Sequence, residues 1–208
     1  MAGVCPAVHT AAGTAMTREI LRRRARPVVT AEAAGARLRW RRAAYPKEES
    51  MSLILTSPDF TPGGPIPAIH TCDGANTSPG LSWSGVPPDT RSLVLIVDDP
   101  DAPDPAAPKM TWVHWVLYNL PPQTTHLPAA VREAELPKGA QAGLNDFKKT
   151  GYGGPCPPIG RHRYVHKLYA LDTVLPDLHH PTKAQLEKAM QGHVRAQAEL
   201  IGTYQRGH

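Results

Sequence analysis

Three short stretches of this chain concentrate the side chains that do chemistry. "DDPDAPD", Asp98 to Asp104, sets four carboxylates among prolines straight after the apolar run "SLVLIV". "WVHWVLYNLP" carries His114, and "RHRYVH" carries His162, Tyr164 and His166. Carboxylates beside imidazoles suit a metal site, a general acid or base, or a pocket for an anion. The metal reading lacks its spacing, since neither HExxH nor CxxC occurs. A calcium loop fails as well: counted from Asp98, the sixth position is not Gly and the twelfth is not Glu. Ser84 in "LSWSG" lacks the first glycine of a nucleophile elbow, and Cys156 stands between prolines without an adjacent base. Gly151, Gly153 and Gly154 match no nucleotide fingerprint and read as a loop whose backbone closely approaches a ligand or another strand.

Strands must position these groups. Short apolar runs alternate with Pro/Gly/Asp turns: "SLVLIVDD" reads as a buried strand ending at Pro100, "TWVHWVLYNL" as a second, "RYVHKLYALD" as a third and "LSWS" as a shorter one. Residues two apart on a strand share a face. Trp112 and His114 therefore point one way, and Val113, Trp115 and Leu117 point to an apolar, core-facing side. The same arithmetic groups His162, Tyr164 and His166 opposite Arg163, Val165 and Lys167. Asp98 and Asp104 read as turn formers, whereas Asp99 and Asp101, held between Pro100 and Pro103, read as aimed groups. Near the C-terminus Leu186, Met190, Val194, Gln197, Ile201 and Tyr204 recur at three or four, which predicts an amphipathic helix opened by a Thr182/Gln185 capping box.

The chain has 208 residues and a net charge of +5, but residues 1–50 hold ten Lys/Arg against four Asp/Glu. The remainder is at −1, so the basic balance that would suggest nucleic acid belongs to the N-terminal segment alone. That Ala/Arg-rich segment reads as a disordered or spurious extension ahead of a domain at 51–208, with Met51 an available start. An organelle transit peptide is the competing reading, diluted by four glutamates. No apolar run approaches the roughly 20 residues of a membrane span. Cys5, Cys72 and Cys156 cannot build a dense disulfide framework, so a reduced cytoplasmic setting is the plain reading, with one bridge, Cys72 to Cys156, left open.

The order "VDDPDAP", "WVHWVLYNLP", "GYGGPCPPIGRHRYVHKLYALD" resembles the phosphatidylethanolamine-binding protein family, in particular its bacterial and archaeal Raf-kinase-inhibitor-like branch, from about Met51 to Arg206. The resemblance implies a mainly β fold with a central antiparallel sheet, a smaller sheet beside it, peripheral helices and an anion-binding pocket at one end. It assigns to that pocket Asp99, Asp101, Trp112, His114, Pro158, His162 and Tyr164, with Pro103 fixing a turn and Arg163 structural. Val113 stands where animal members have a second histidine, and the connection from Pro158 to His162 is short, both features of the prokaryotic branch. The function expected is non-catalytic binding of small phosphorylated or other anionic ligands, with His114 and His162 as donors and Asp99 orienting a histidine. The alternatives are an inhibitor of a kinase or protease and a phosphoester hydrolase in which His114 and Asp99 act as base and orienter. No cofactor and no metal are expected. The partners left open are the small ligand, a kinase or protease, and a second copy of the chain; nucleic acid and integral membrane association are not expected.

Overall fold

The structure, a computed structural model, describes residues 52–207. The reading of residues 1–50 as an extension therefore lies outside the described residues. Among the described residues eight strands form two antiparallel sheets. The smaller contains β1 (Ile54–Thr56), β2 (Leu81–Ser84) and β5 (His126–Leu127), with β2 central. The larger runs β6-β4-β3-β7-β8, from β6 (Gln141–Ala142) through β4 (Met110–Leu120), β3 (Ser92–Ala102) and β7 (His162–Leu171) to β8 (Val194–Tyr204).

The 93–97 run of β3 is apolar without interruption because both of its faces are covered. On one face Leu93, Leu95 and Val97 join Trp115, Leu117, Tyr164 and Leu168, and these close against Leu55, Leu81, Trp83 and Leu127 of the smaller sheet. On the other, Val94, Ile96, Val116 and Tyr118 pack with Leu186 and Met190 of helix α1 (Lys183–Met190). The layers are thus small sheet, large sheet and helix. Two 3-10 turns, Ala68–His70 and Glu133–Glu135, lie at the periphery. No helix among the described residues is long and apolar enough to cross a membrane.

Three sequence expectations need correction. β3 continues past Pro100 to Ala102. It can do so because β7 pairs with it only as far as Asp98, so the missing N–H of Pro100 interrupts no ladder on that side. The C-terminal helix starts at the expected Thr182/Gln185 capping box but stops at Met190. Gly192, at φ +81°, turns the chain, and residues 194–204 form β8 instead. There Ala198, Leu200 and Gly202 are buried at a period of two, which coexists in this stretch with the helical spacing. Finally, Val113 does not share a face with Trp115 and Leu117. Val97 pairs with Trp115 but Asp98 pairs with Val113, so His114 is the extra residue of a β-bulge. The bulge keeps Trp112 and His114 on the same side of the sheet as Trp115, and turns Val113 to the helix side with Val116.

Candidate functional site

At the end of the large sheet, on the face that farther along packs against the small sheet, three neighbouring strands bring their chemistry together. β3 supplies Asp99, β4 supplies Trp112 and the bulged His114, and β7 supplies His162 and Tyr164. They line a cavity of about 350 Å³, walled otherwise by Ala102, Pro103, Met110, Phe147, Cys156, Pro157 and Pro158. Six of the seven residues assigned from the sequence meet here. Asp101 does not: its carboxylate accepts two hydrogen bonds from the Arg163 guanidinium, at 2.7 and 2.9 Å, and a third from the Arg163 backbone N–H. Arg163 hydrogen bonding, led by the side chain, holds that carboxyl below its ordinary range. Asp101 and Arg163 thus clamp β3 to the start of β7 beside the cavity.

Asp99 orients His162, not His114. Its Oδ2 accepts from His162 Nδ1 at 2.7 Å, and its Oδ1 accepts from the Asp101 backbone N–H. His162 Nε2 lies 2.9 Å from the Ile159 carbonyl. Both ring nitrogens are thus engaged by protein groups, one by a carboxylate and the other by a backbone carbonyl. His162 therefore lines the cavity through its ring, and neither nitrogen remains free to donate to a ligand. The expectation of His162 as a donor, and of His114 with Asp99 as base and orienter, does not fit this pairing.

His114 is held by a different device. Its Nδ1 donates to the Gly153 carbonyl at 2.6 Å, while the Gly153 N–H donates to the His114 carbonyl at 2.9 Å. A carbonyl only accepts, so Nδ1 keeps its proton and Nε2 is left without a protein partner, a lone pair in the neutral ring. Burial pushes this imidazole below its ordinary pKa, outweighing the Gly153 hydrogen bond and the charges of Asp99, Asp98 and Asp146, which pull upward. The ring edges against Phe147 and Tyr164, with centroids 5.6 and 5.1 Å away. The Tyr164 hydroxyl is buried and has no hydrogen-bond partner. Burial, with the charge of Asp99 adding to it, raises that phenol, so it stays protonated.

The glycine-rich loop matches its sequence reading, because its backbone makes close approaches. A Cβ on Gly153 would stand 2.6 Å from the Phe147 ring, and one on Gly154 would stand 2.4 Å from the His70 carbonyl oxygen. Cys156 of the same loop is joined to Cys72, so the plain reading of these two thiols as reduced does not hold. Asp104 behaves as a turn former, accepting from the Ala106 N–H. Asp98 does not: fully buried on the helix side, it is paired to Lys167 at 2.9 Å and Lys183 at 2.8 Å. Met110, Phe147 and Gly153 were not identified as site residues from the sequence. Only the glycine cluster carried a local signal. Among the described residues no group of three or more His, Cys, Asp or Glu is placed to hold a metal ion.

Comparison with known proteins agrees with this architecture. The family model for phosphatidylethanolamine-binding protein matches residues 56–205. A UPF0098 protein of Methanothermobacter thermautotrophicus is 51% identical over 149 residues, covering 71% of this chain and 95% of the relative. One from Chlamydia trachomatis is 46% identical over 156 residues, 73% of this chain and 98% of the relative. Among solved structures, a Chlamydia trachomatis protein described as a phosphatidylethanolamine-binding protein homologue superposes with a TM-score of 0.70 at 45% identity, covering 76% of this chain and all of its own. An Escherichia coli protein described as a new member of the mammalian PEBP family gives 0.68 at 34% identity, with 75% and 99% covered.

Proposed function

The chain belongs to the phosphatidylethanolamine-binding protein family, and from that premise we propose that its cavity binds a small phosphorylated or otherwise anionic group and releases it unchanged. The observation that carries this is His114, which lines the cavity with Nδ1 fixed on the Gly153 carbonyl and Nε2 unpaired, beside Tyr164, whose buried hydroxyl has no partner. A buried hydroxyl left unsatisfied costs about 1–3 kcal/mol, which a phosphoryl or carboxylate oxygen recovers by accepting its proton. The apolar walls of Trp112, Phe147, Pro157 and Pro158 lower the local dielectric and so strengthen polar contacts made against them. The Asp99 carboxylate is committed to His162, and His114 is backed by a carbonyl instead of a carboxylate, an arrangement that supports binding over general-base hydrolysis.

Calorimetric titration of O-phosphoethanolamine tests the proposal. Wild-type protein is expected to bind it, and His114→Ala and Tyr164→Phe to bind at least about fivefold more weakly, the equivalent of about 1 kcal/mol or more. Equal, weak response from all three would refute the site. Release of inorganic phosphate during prolonged incubation would replace the binding reading with the hydrolase. Capture of a kinase or protease undiminished by both substitutions would move the function to another surface.

A further inference from the structure

We infer that the cavity takes up one proton with its anion, and that the proton lands on His114 Nε2. This rests on the binding reading above and adds what must accompany the ligand.

The argument is an inventory of charge around one ring. From β3, His114 is faced by Asp99, already bonded to His162 and to the Asp101 N–H, and at longer range by Asp98, neutralised by Lys167 and Lys183. From β7 come His162, with both nitrogens engaged, Tyr164, and farther along the same face His166. From the 145–156 segment come Asp146, whose carboxylate accepts from the Val113 N–H, the Phe147 ring and the Gly153 carbonyl. On β4 itself its neighbours Trp112, Val113 and Trp115 bring no titratable group. The nearby cations are spent or outside: Arg163 is clamped to Asp101, and Lys109, Lys148, Lys149 and Arg161 are exposed and absent from the lining. Among the described residues that line the cavity, His114 is the one uncommitted group able to become positive.

Hydrogen-bond chemistry points the same way. With Nδ1–H fixed on Gly153, the neutral ring turns a lone pair toward a ligand that has only lone pairs to offer. Protonation converts the repulsion into a charge-assisted bond and cancels the ligand's charge inside apolar walls. The proton comes from solvent on binding and returns on release, and no covalent bond of the ligand changes. Since burial keeps the free ring neutral near pH 7, binding there carries the whole proton.

The probe is dimethyl phosphate, whose single charge is constant across the range, titrated into wild-type protein in buffers of equal pH and different ionisation heats. Uptake of about one proton per anion is expected near pH 7.5, with the Kd rising about tenfold per pH unit above about pH 7. Tyr164→Phe should weaken binding yet keep that slope. His114→Asn, whose amide nitrogen takes the place of Nδ1 on the Gly153 carbonyl, should lose both slope and uptake. Binding heats independent of buffer, an affinity flat with pH, or a slope that survives in His114→Asn would overturn the inference while leaving the binding reading intact. Failure of the wild type to bind at about pH 5.5, where protons are plentiful, would overturn both.

Discussion

His166 gives the sharpest test of the electrostatics of this fold. It lies on β7 two residues beyond Tyr164, 1% exposed, against Phe60 at a centroid distance of 5.4 Å, and its Nε2 has no hydrogen-bond partner. Burial depresses its pKa from 6.5 to about 4, against the upward pull of the Tyr164 and Leu200 carbonyls. A histidine depressed in the fold is protonated first in the unfolded chain. Its contribution is therefore complete above about pH 6.5 and is lost as pH falls toward about 4. A gap of that size corresponds to roughly 3 kcal/mol, a large share of the roughly 5–15 kcal/mol that holds a domain together. Urea unfolding of wild type and His166→Leu, compared from about pH 7 to about pH 4, isolates this group, because the carboxylates and His114 titrate in both proteins and cancel in the difference. At pH 7 the variant should be equal or more stable, since it removes an unsatisfied buried nitrogen. By pH 4 it should have gained roughly 3 kcal/mol on the wild type. A difference that shifts by less than about 1 kcal/mol across that range would refute the depressed imidazole, since one pKa unit alone is worth about 1.4.

Other perturbations bear on the site's framework. Asp99→Asn strips the carboxylate from a fully buried His162 and should cost about 3 kcal/mol in urea unfolding at neutral pH; a loss below about 1 kcal/mol would deny that pairing its structural role. Gly154→Ala drives a Cβ into the His70 carbonyl and the Asn76 side chain, so a destabilisation of about 2 kcal/mol is expected, with weakened ligand binding because the same loop carries the Gly153 carbonyl; an unchanged unfolding midpoint would show that the loop yields freely. Reducing Cys72–Cys156, which closes a separation of 84 residues, should lower stability by up to about 4 kcal/mol, read as the difference in midpoint with and without dithiothreitol; identical midpoints would count against the bridge.

Much of this site could be read in the sequence because strand geometry is local. "HRYVH" places His162, Tyr164 and His166 on one side by simple alternation, and the buried β7 keeps that alternation without interruption. The same arithmetic failed on "WVHWV", where an extra residue opposite Val97 and Asp98 moves Val113 across the sheet. Nothing in the identities of Trp112, His114 or Trp115 distinguishes a bulged strand from a regular one. The helix expected over 186–204 failed for a related reason: Ala196, Ala198, Leu200 and Gly202 satisfy a two-residue period while Leu186, Met190, Val194 and Ile201 satisfy a helical one, and the neighbouring β7 decided between them.

Partner choice was the least legible property, and the function turns on it. The sequence showed several aspartates near several imidazoles, but which carboxylate meets which ring depends on the order of strands in the sheet and on a loop folding back from far along the chain. Asp99 and His162, separated by 63 residues, come together because β3 and β7 are neighbours; His114 and Gly153, separated by 39, come together because the bulge and the glycine loop approach one another. Exchanging those partners would reverse the chemistry. His114 on a carboxylate would be a standing cation or a strong base, whereas on a carbonyl, as inferred above, it is a neutral ring that would gain its charge with a bound anion. On the proposed reading, the identity of a single hydrogen-bond acceptor, fixed by topology, separates a general base from a proton-coupled binding site.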